Sequence, residues 1–176
     1  MPFKNVAAKT QLEFQTAGLI GLVHAFYGLN FDNKHTLSMG MGYVPKLTDH
    51  DEMNLFSVKY RYTPANKYII NVLDNKMEWR PYSFSITLLH GKDHDIYKTL
   101  SYDPPKDYYI PTDNRLIFSM QTNFIVRDNI EIYWDWSVLD IGLVSYARNF
   151  EFYRDNYSFM GLAGVVSYGV GFRVNL

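Results

Sequence analysis

Five histidines, eighteen carboxylates and no cysteine set the chemistry this chain can do. Without a thiol there is neither a disulfide framework nor a thiolate metal site. The densest group of ligand atoms is His90-Gly-Lys-Asp93-His94-Asp95, two imidazoles and two carboxylates within six residues. Nitrogen and oxygen donors so spaced could hold a divalent cation, but they match no defined metal motif. Asp49-His50-Asp51-Glu52 is a weaker case, so the expectation is no metal. For acyl chemistry a His must activate a Ser, and on an extended chain residues two apart point the same way. No His has a Ser two positions on; in His35-Thr-Leu-Ser38 the offset of three puts the two side chains on opposite faces. His24 and His35, the two near strands, read as rim or interface residues. Gly40 and Gly42 lie mid-strand, and Gly169 and Gly171 belong to the last strand, so no phosphate loop forms. The sequence assigns no catalytic residue and no cofactor.

One further constellation is charged: Lys59, Arg61, Glu131, Asp135 and Arg173. Each interrupts a face made mostly of Ser, Thr, Gly, Gln and Asn. The elements that carry them show a period of two. Leu37, Met39, Met41 and Tyr43 alternate with Thr36, Ser38, Gly40 and Gly42. Phe56, Val58, Tyr60 and Tyr62 face away from Ser57, Lys59, Arg61 and Thr63. Ile130, Ile132, Trp134, Trp136 and Val138 oppose Glu131, Tyr133, Asp135 and Ser137. The reading is eight strands, at 11–29, 35–45, 54–63, 67–73, 79–89, 115–126, 130–147 and 159–176. The first is the hardest: Leu12, Phe14 and Thr16 alternate with Glu13, Gln15 and Ala17, but Leu19-Ile20-Gly21-Leu22-Val23 favours neither period, and a short helix is the alternative. Pro64-Ala65-Asn66 and Asp74-Asn75-Lys76 read as turns. Beyond Val138 the apolar set shifts to Leu139, Ile141 and Leu143, which a β-bulge would cause.

An even strand number suits an antiparallel up-and-down barrel with a lead-in at 1–10, a barrel over 11–176, and long external loops at 90–114 and 148–157. Loop lengths alternate in the second half and fail to in the first, where the short turn 64–66 falls outside and the longer 46–53 inside. Either solvent could surround such a barrel. A water-facing strand usually carries many Lys and Glu, whereas these polar faces carry small residues and isolated charges, as a narrow lumen requires. No apolar run reaches 18 residues, so a transmembrane helix is not expected. Fifteen Tyr exceed what a core needs and suit a membrane–water interface. Nearly balanced charge, 17 basic against 18 acidic, gives no field for nucleic acid. The five lumen charges are expected to pair and close the interior.

The last residues sharpen this. Leu176, Val174, Phe172, Val170, Tyr168 and Val166 form one apolar face against Asn175, Arg173, Gly171, Gly169 and Ser167. This pattern resembles the C-terminal signal strand of Gram-negative outer-membrane β-barrels, with Tyr168, Gly171, Phe172, Val174 and Leu176 as the assembly signal. The resemblance implies an outer-membrane location for an exported, mature chain. It also implies lipid and lipopolysaccharide around the barrel, and the barrel-assembly machinery as a transient partner. The expected role is structural or interaction-based. Aromatics of the two long loops, Tyr97, Tyr102, Tyr108 and Tyr109, then Phe150, Phe152 and Tyr153, are candidates to contact a protein partner or the headgroups. The alternative from the same resemblance is a lipid A acyl hydrolase or acyltransferase at the outer wall; a third is a narrow small-solute channel.

Overall fold

A computed structural model describes residues 9–46, 52–72, 75–92, 114–127, 129–148, 150–155 and 166–176. Among these, nine strands run in order: β1 Lys9–Ala17, β2 Val23–Phe31, β3 His35–Val44, β4 Met53–Tyr62, β5 Tyr68–Val72, β6 Asn75–Lys92, β7 Asn114–Arg127, β8 Ile130–Leu139 and β9 Val166–Asn175. Two helices, α1 Asp140–Arg148 and α2 Phe150–Asp155, lie between β8 and β9. All pairings are antiparallel; β4 pairs with β6, and β1 closes the sheet on β9. The result is a closed eight-stranded barrel of β1–β4 and β6–β9. Closure leaves these eight strands no free edge.

The count of eight is as the sequence implies, but its membership differs. The segment 11–29 is two strands, with Gln15 paired to His24 and Lys9 to Asn30. The run Leu19-Ile20-Gly21-Leu22, which fitted neither period, is the reversal between them. The segment 67–73 leaves the barrel. β5 pairs with residues 75–79 of β6, on the edge that β4 occupies over residues 84–92. The chain therefore does not reverse at Pro64-Ala65-Asn66. β5 continues the direction of β4, and the reversal falls between Val72 and Asn75. Both corrections repair the loop rule. The strand ends flanking 18–22, 45–52, 93–113 and 140–165 now fall at one end. The tight turn 32–34, the adjoining ends of β7 and β8, the β5–β6 hairpin and residues Lys9 and Leu176 fall at the other.

The expected strand at 130–147 stops at Leu139, where α1 begins. No bulge is needed. Leu139 keeps the inward phase of Ser137, and it is apolar because it packs on a buried apolar cluster. The stretch 148–157, expected as a loop, carries α2. Residues 1–8 and 93–113, including Tyr97, Tyr102, Tyr108 and Tyr109, lie outside the described residues.

Burial inverts the usual arrangement of a water-soluble protein. Gln11, Glu13, Lys59, Arg61, Gln121, Asn123 and Arg173 are buried, while Met39, Met41, Phe56, Tyr60, Trp134 and Phe172 are exposed. The β5–β6 hairpin projects beyond the wall at the tight-turn end. Lys67 bridges to Glu78 across it at 2.9 Å, and Arg80, two residues along the same strand, pairs with Glu78 at 2.8 Å. Tyr68, Trp79 and Phe124 stack along it, and Trp79 Nε1 donates to Thr122 at 2.8 Å. Partial burial pushes the Glu78 carboxyl up, but the hydrogen bonds from Lys67 and Arg80 outweigh it and hold the group below its ordinary range.

Candidate functional site

The interior has two zones. Towards the tight-turn end, alternate positions of β1, β4, β8 and β9 put six charges into the lumen. Arg173 of β9, fully buried, is the hub. Its Nε lies 3.1 Å from Glu13 Oε2, its Nη1 meets Glu131, and its Nη2 meets Gln121. The guanidinium also sits 3.7 Å over the Tyr133 ring. That ring needs Gly171 on the neighbouring strand, since any Cβ there would collide with the Tyr133 hydroxyl. Lys59 Nζ bonds Glu13 Oε1 at 2.8 Å and Gln15 at 3.1 Å, and the Tyr133 hydroxyl donates to the same Glu13 oxygen at 2.6 Å. Arg61 reaches Glu131 at 3.4 Å, Gln11 at 3.0 Å and Thr36 at 3.2 Å. Asp135 accepts from Gln121 at 2.8 Å and from Ser137.

All five sequence-derived lumen residues thus lie inside, and four of them, Lys59, Arg61, Glu131 and Arg173, make ion pairs. Sequence reasoning left out Glu13, which binds both Lys59 and Arg173. With it the charged zone, among the described residues, sets three acids, Glu13, Glu131 and Asp135, against three bases, Lys59, Arg61 and Arg173; a fourth buried acid, Asp140, lies apart from them at the start of α1, where it accepts from Leu116 N. The signal was present: Glu13 and Gln15 alternate with Leu12 and Phe14. It was lost because that strand was merged with the turn after it. Buried charges at this density persist only when paired and hydrogen-bonded.

Towards the other end the inward side chains turn apolar. Phe26, Leu55, Leu89 and Ile117, from β2, β4, β6 and β7, surround Ile20 from the β1–β2 turn, with Leu19, Val44, Met53 and Leu139 packed around them. Between the zones sits His24. It is not a rim residue: it is fully buried, stacked on Phe26, with Nε2 2.6 Å from Ser57 Oγ and Nδ1 3.0 Å from the Ile20 carbonyl. A carbonyl only accepts, so Nδ1 carries the proton and the Ser57 hydroxyl donates to Nε2. Here is a His–Ser contact, joined across strands 33 residues apart where a search along one strand could not find it. Both side chains point into the packed lumen.

The outward residues are placed as follows. His35 bonds the Tyr60 hydroxyl at 2.6 Å and stacks between Tyr60 and Tyr62, while Ser38 is buried on the opposite face. Tyr168 and Phe172 project outward from β9, and Phe172 stacks on Phe14 at 5.2 Å. Val174 is half-buried, and Leu176 follows the strand exposed. His90 lies two residues before the end of β6, with Nδ1 3.2 Å from Asn114 Oδ1; Asp93, His94 and Asp95 lie outside the described residues. Glu52 accepts from Tyr43, whereas Asp49, His50 and Asp51 also lie outside them. Among the described residues no three His or carboxylate groups converge as a metal site. Phe150 meets Tyr146 edge-on at 5.6 Å, and Phe152 and Tyr153 belong to α2. Comparison with protein-family models and with curated proteins finds no match for this chain.

Proposed function

We propose that this chain is an integral β-barrel of the bacterial outer membrane, with a closed lumen and a structural or partner-presenting role. The observation that carries this reading is the inverted wall. In β8, Ile132 and Trp134 face out while Glu131, Tyr133, Asp135 and Ser137 are buried. In water such a surface would expose far more contiguous apolar area than a monomer tolerates. In lipid it is the favoured state, and the charges are satisfied inside. From Ile130 to Val138 there are eight rises of about 3.4 Å, which a tilt near 40° reduces to roughly 21 Å of height, close to the apolar band of such barrels. Tyr62, Tyr68, Trp79 and Tyr82 gather at the tight-turn end, where an interface would sit.

On this reading lipid and lipopolysaccharide cover the wall, and Tyr168, Phe172, Val174 and Leu176 of the last strand are what the assembly machinery engages. The two large connections at the other end, 93–113 and 140–165, present the partner-contacting surface outside the cell. Acyl chemistry at the outer wall has no outward His–Ser pair among the described residues. A solute path would have to cross the Arg173 network.

The protein is expected to fractionate with outer membranes, to need detergent for extraction, and to run on unheated gels as a compact species that shifts on boiling. Recovery as a soluble monomer without detergent would overturn the proposal. Steady ion conductance by single barrels in a planar bilayer would overturn the closed lumen.

A further inference from the structure

The mouth of the barrel opposite the tight turns is filled by a turn, 17–22, folded into the lumen. Its backbone is held in an uncommon conformation: Ala17 and Leu19, both with side chains, have φ of +60° and +71°. Left-handed backbone at a residue such as Leu is strained, and it persists only where surrounding contacts hold it. Among the described residues those contacts are directional at the base and, apart from one hydrogen bond, apolar at the apex. At the base, Leu22 N donates to the Tyr43 carbonyl (3.1 Å) and Thr16 Oγ1 to the Leu22 carbonyl (2.6 Å). At the apex, Ile20 is 2% exposed within the apolar cluster, and its carbonyl accepts from His24 Nδ1.

We propose that the turn 17–22 is a lid that opens the lumen mouth as a local unit, with His24 as its latch, while the charged zone stays shut. Lifting Ile20 strands no charge and parts one hydrogen bond, leaving the Ile20 carbonyl and the His24 Nδ1–H for water to satisfy. Lifting any member of the Arg173 network leaves an ion unpaired, so the two zones cannot open together at comparable cost. The latch is itself positioned. Ser57 donates to Nε2 and so keeps the proton on Nδ1, aimed at the lid. Gly42 leaves the imidazole its place, because a Cβ there would collide with Nδ1. His24 and Ser57 thus find a role that needs no substrate to reach them.

The absence of cysteine makes the test clean. Ile20→Cys places a single thiol on the lid. Ser85→Cys places one in the polar zone, at a hydroxyl with no hydrogen-bond partner to lose. Each variant, folded in detergent, is labelled with a charged maleimide across sub-denaturing urea. The lid thiol is expected to react at a rate nearly independent of urea, and the Ser85→Cys thiol only as the whole barrel unfolds. Adding His24→Gln should speed lid labelling about tenfold, the loss of one modest hydrogen bond. Equal rates and equal urea dependence at the two thiols would overturn the lid, and an unchanged rate in His24→Gln would overturn the latch. If Ile20→Cys does not fold, hydrogen exchange on the unaltered chain decides. The Leu22 amide exchanging well before the amides of β8 supports the lid, and simultaneous exchange refutes it.

Discussion

The charged half of the lumen and its apolar cap occupy equivalent inward positions of one barrel, yet they resist change in opposite ways. Glu13, Arg173, Glu131 and Arg61 are bound by directional contacts in which each ion answers at least one other. Ile20, Leu55, Leu89 and Ile117 share contact without partners. Removing an ion strands its neighbours, whereas removing a methyl group costs only the volume lost. On the proposed reading the first zone stays closed and the second is the one that opens. Residues of the same strand fall on both sides of the divide: Leu55 and Arg61 of β4 are six residues apart.

The largest effect should come from Arg173→Met. It leaves Glu13 and Glu131 without their main counter-ion, and breaking buried pairs of this kind costs about 3–5 kcal/mol. Urea titration of the folded, heat-modifiable species measures it, and loss of that species altogether is the extreme outcome. A cost below about 1 kcal/mol would erase the distinction between the zones. Next comes Leu89→Ala in the cap, expected to cost about 2–3 kcal/mol, the low end of cavity-forming changes, because the mouth can hydrate. If it matched or exceeded Arg173→Met, the cap rather than the ion network would be the closure.

A third experiment reads coupling. Arg61→Gln and Glu131→Gln together should cost less than the two singles summed, by about 1 kcal/mol, since each single strands the other's partner. Strict additivity would deny the pairing across 3.4 Å. The smallest effect lies outside the lumen, at Glu78. Its carboxyl is held low, so the Lys67 and Arg80 contacts contribute in full above the ordinary carboxylate range. They are lost as pH falls through the lowered value. Glu78→Gln should cost below about 1 kcal/mol at neutral pH and nothing once Glu78 is protonated, as expected of a partly exposed bridge. A pH-independent cost would point to packing instead.

Much of this architecture is legible in residue order, for a physical reason. A wall one residue thick forces neighbours to opposite solvents, so β3, β4, β8 and β9 announce themselves by alternation. What alternation cannot register is an apolar residue facing inward. Leu55, Leu89, Ile117 and Leu139 belong to the cap, and in sequence each looks like one more apolar residue near a strand end. Leu139 therefore reads, in sequence, as a change of phase. The turn at 18–22 was hidden similarly, because Leu19 and Ile20 are apolar where turns are usually polar. The continuation of β4 into β5 was masked by Pro64-Ala65-Asn66, turn-forming residues that here carry the chain onward. The contacts of Glu13 with Arg173 and of His24 with Ser57 needed the register of strands far apart in the chain.

The central claim is that the apolar side of this wall meets hydrocarbon. Trp134, 51% exposed on β8, is placed to report it. With Trp79→Phe and Trp136→Phe it is the single tryptophan, and its fluorescence can be followed in vesicles whose acyl chains carry bromine at defined depths. Strong quenching is expected, greatest for bromine towards the middle of the chain. Fluorescence indifferent to bromine at every depth, with the folded barrel left in the aqueous phase, would contradict it.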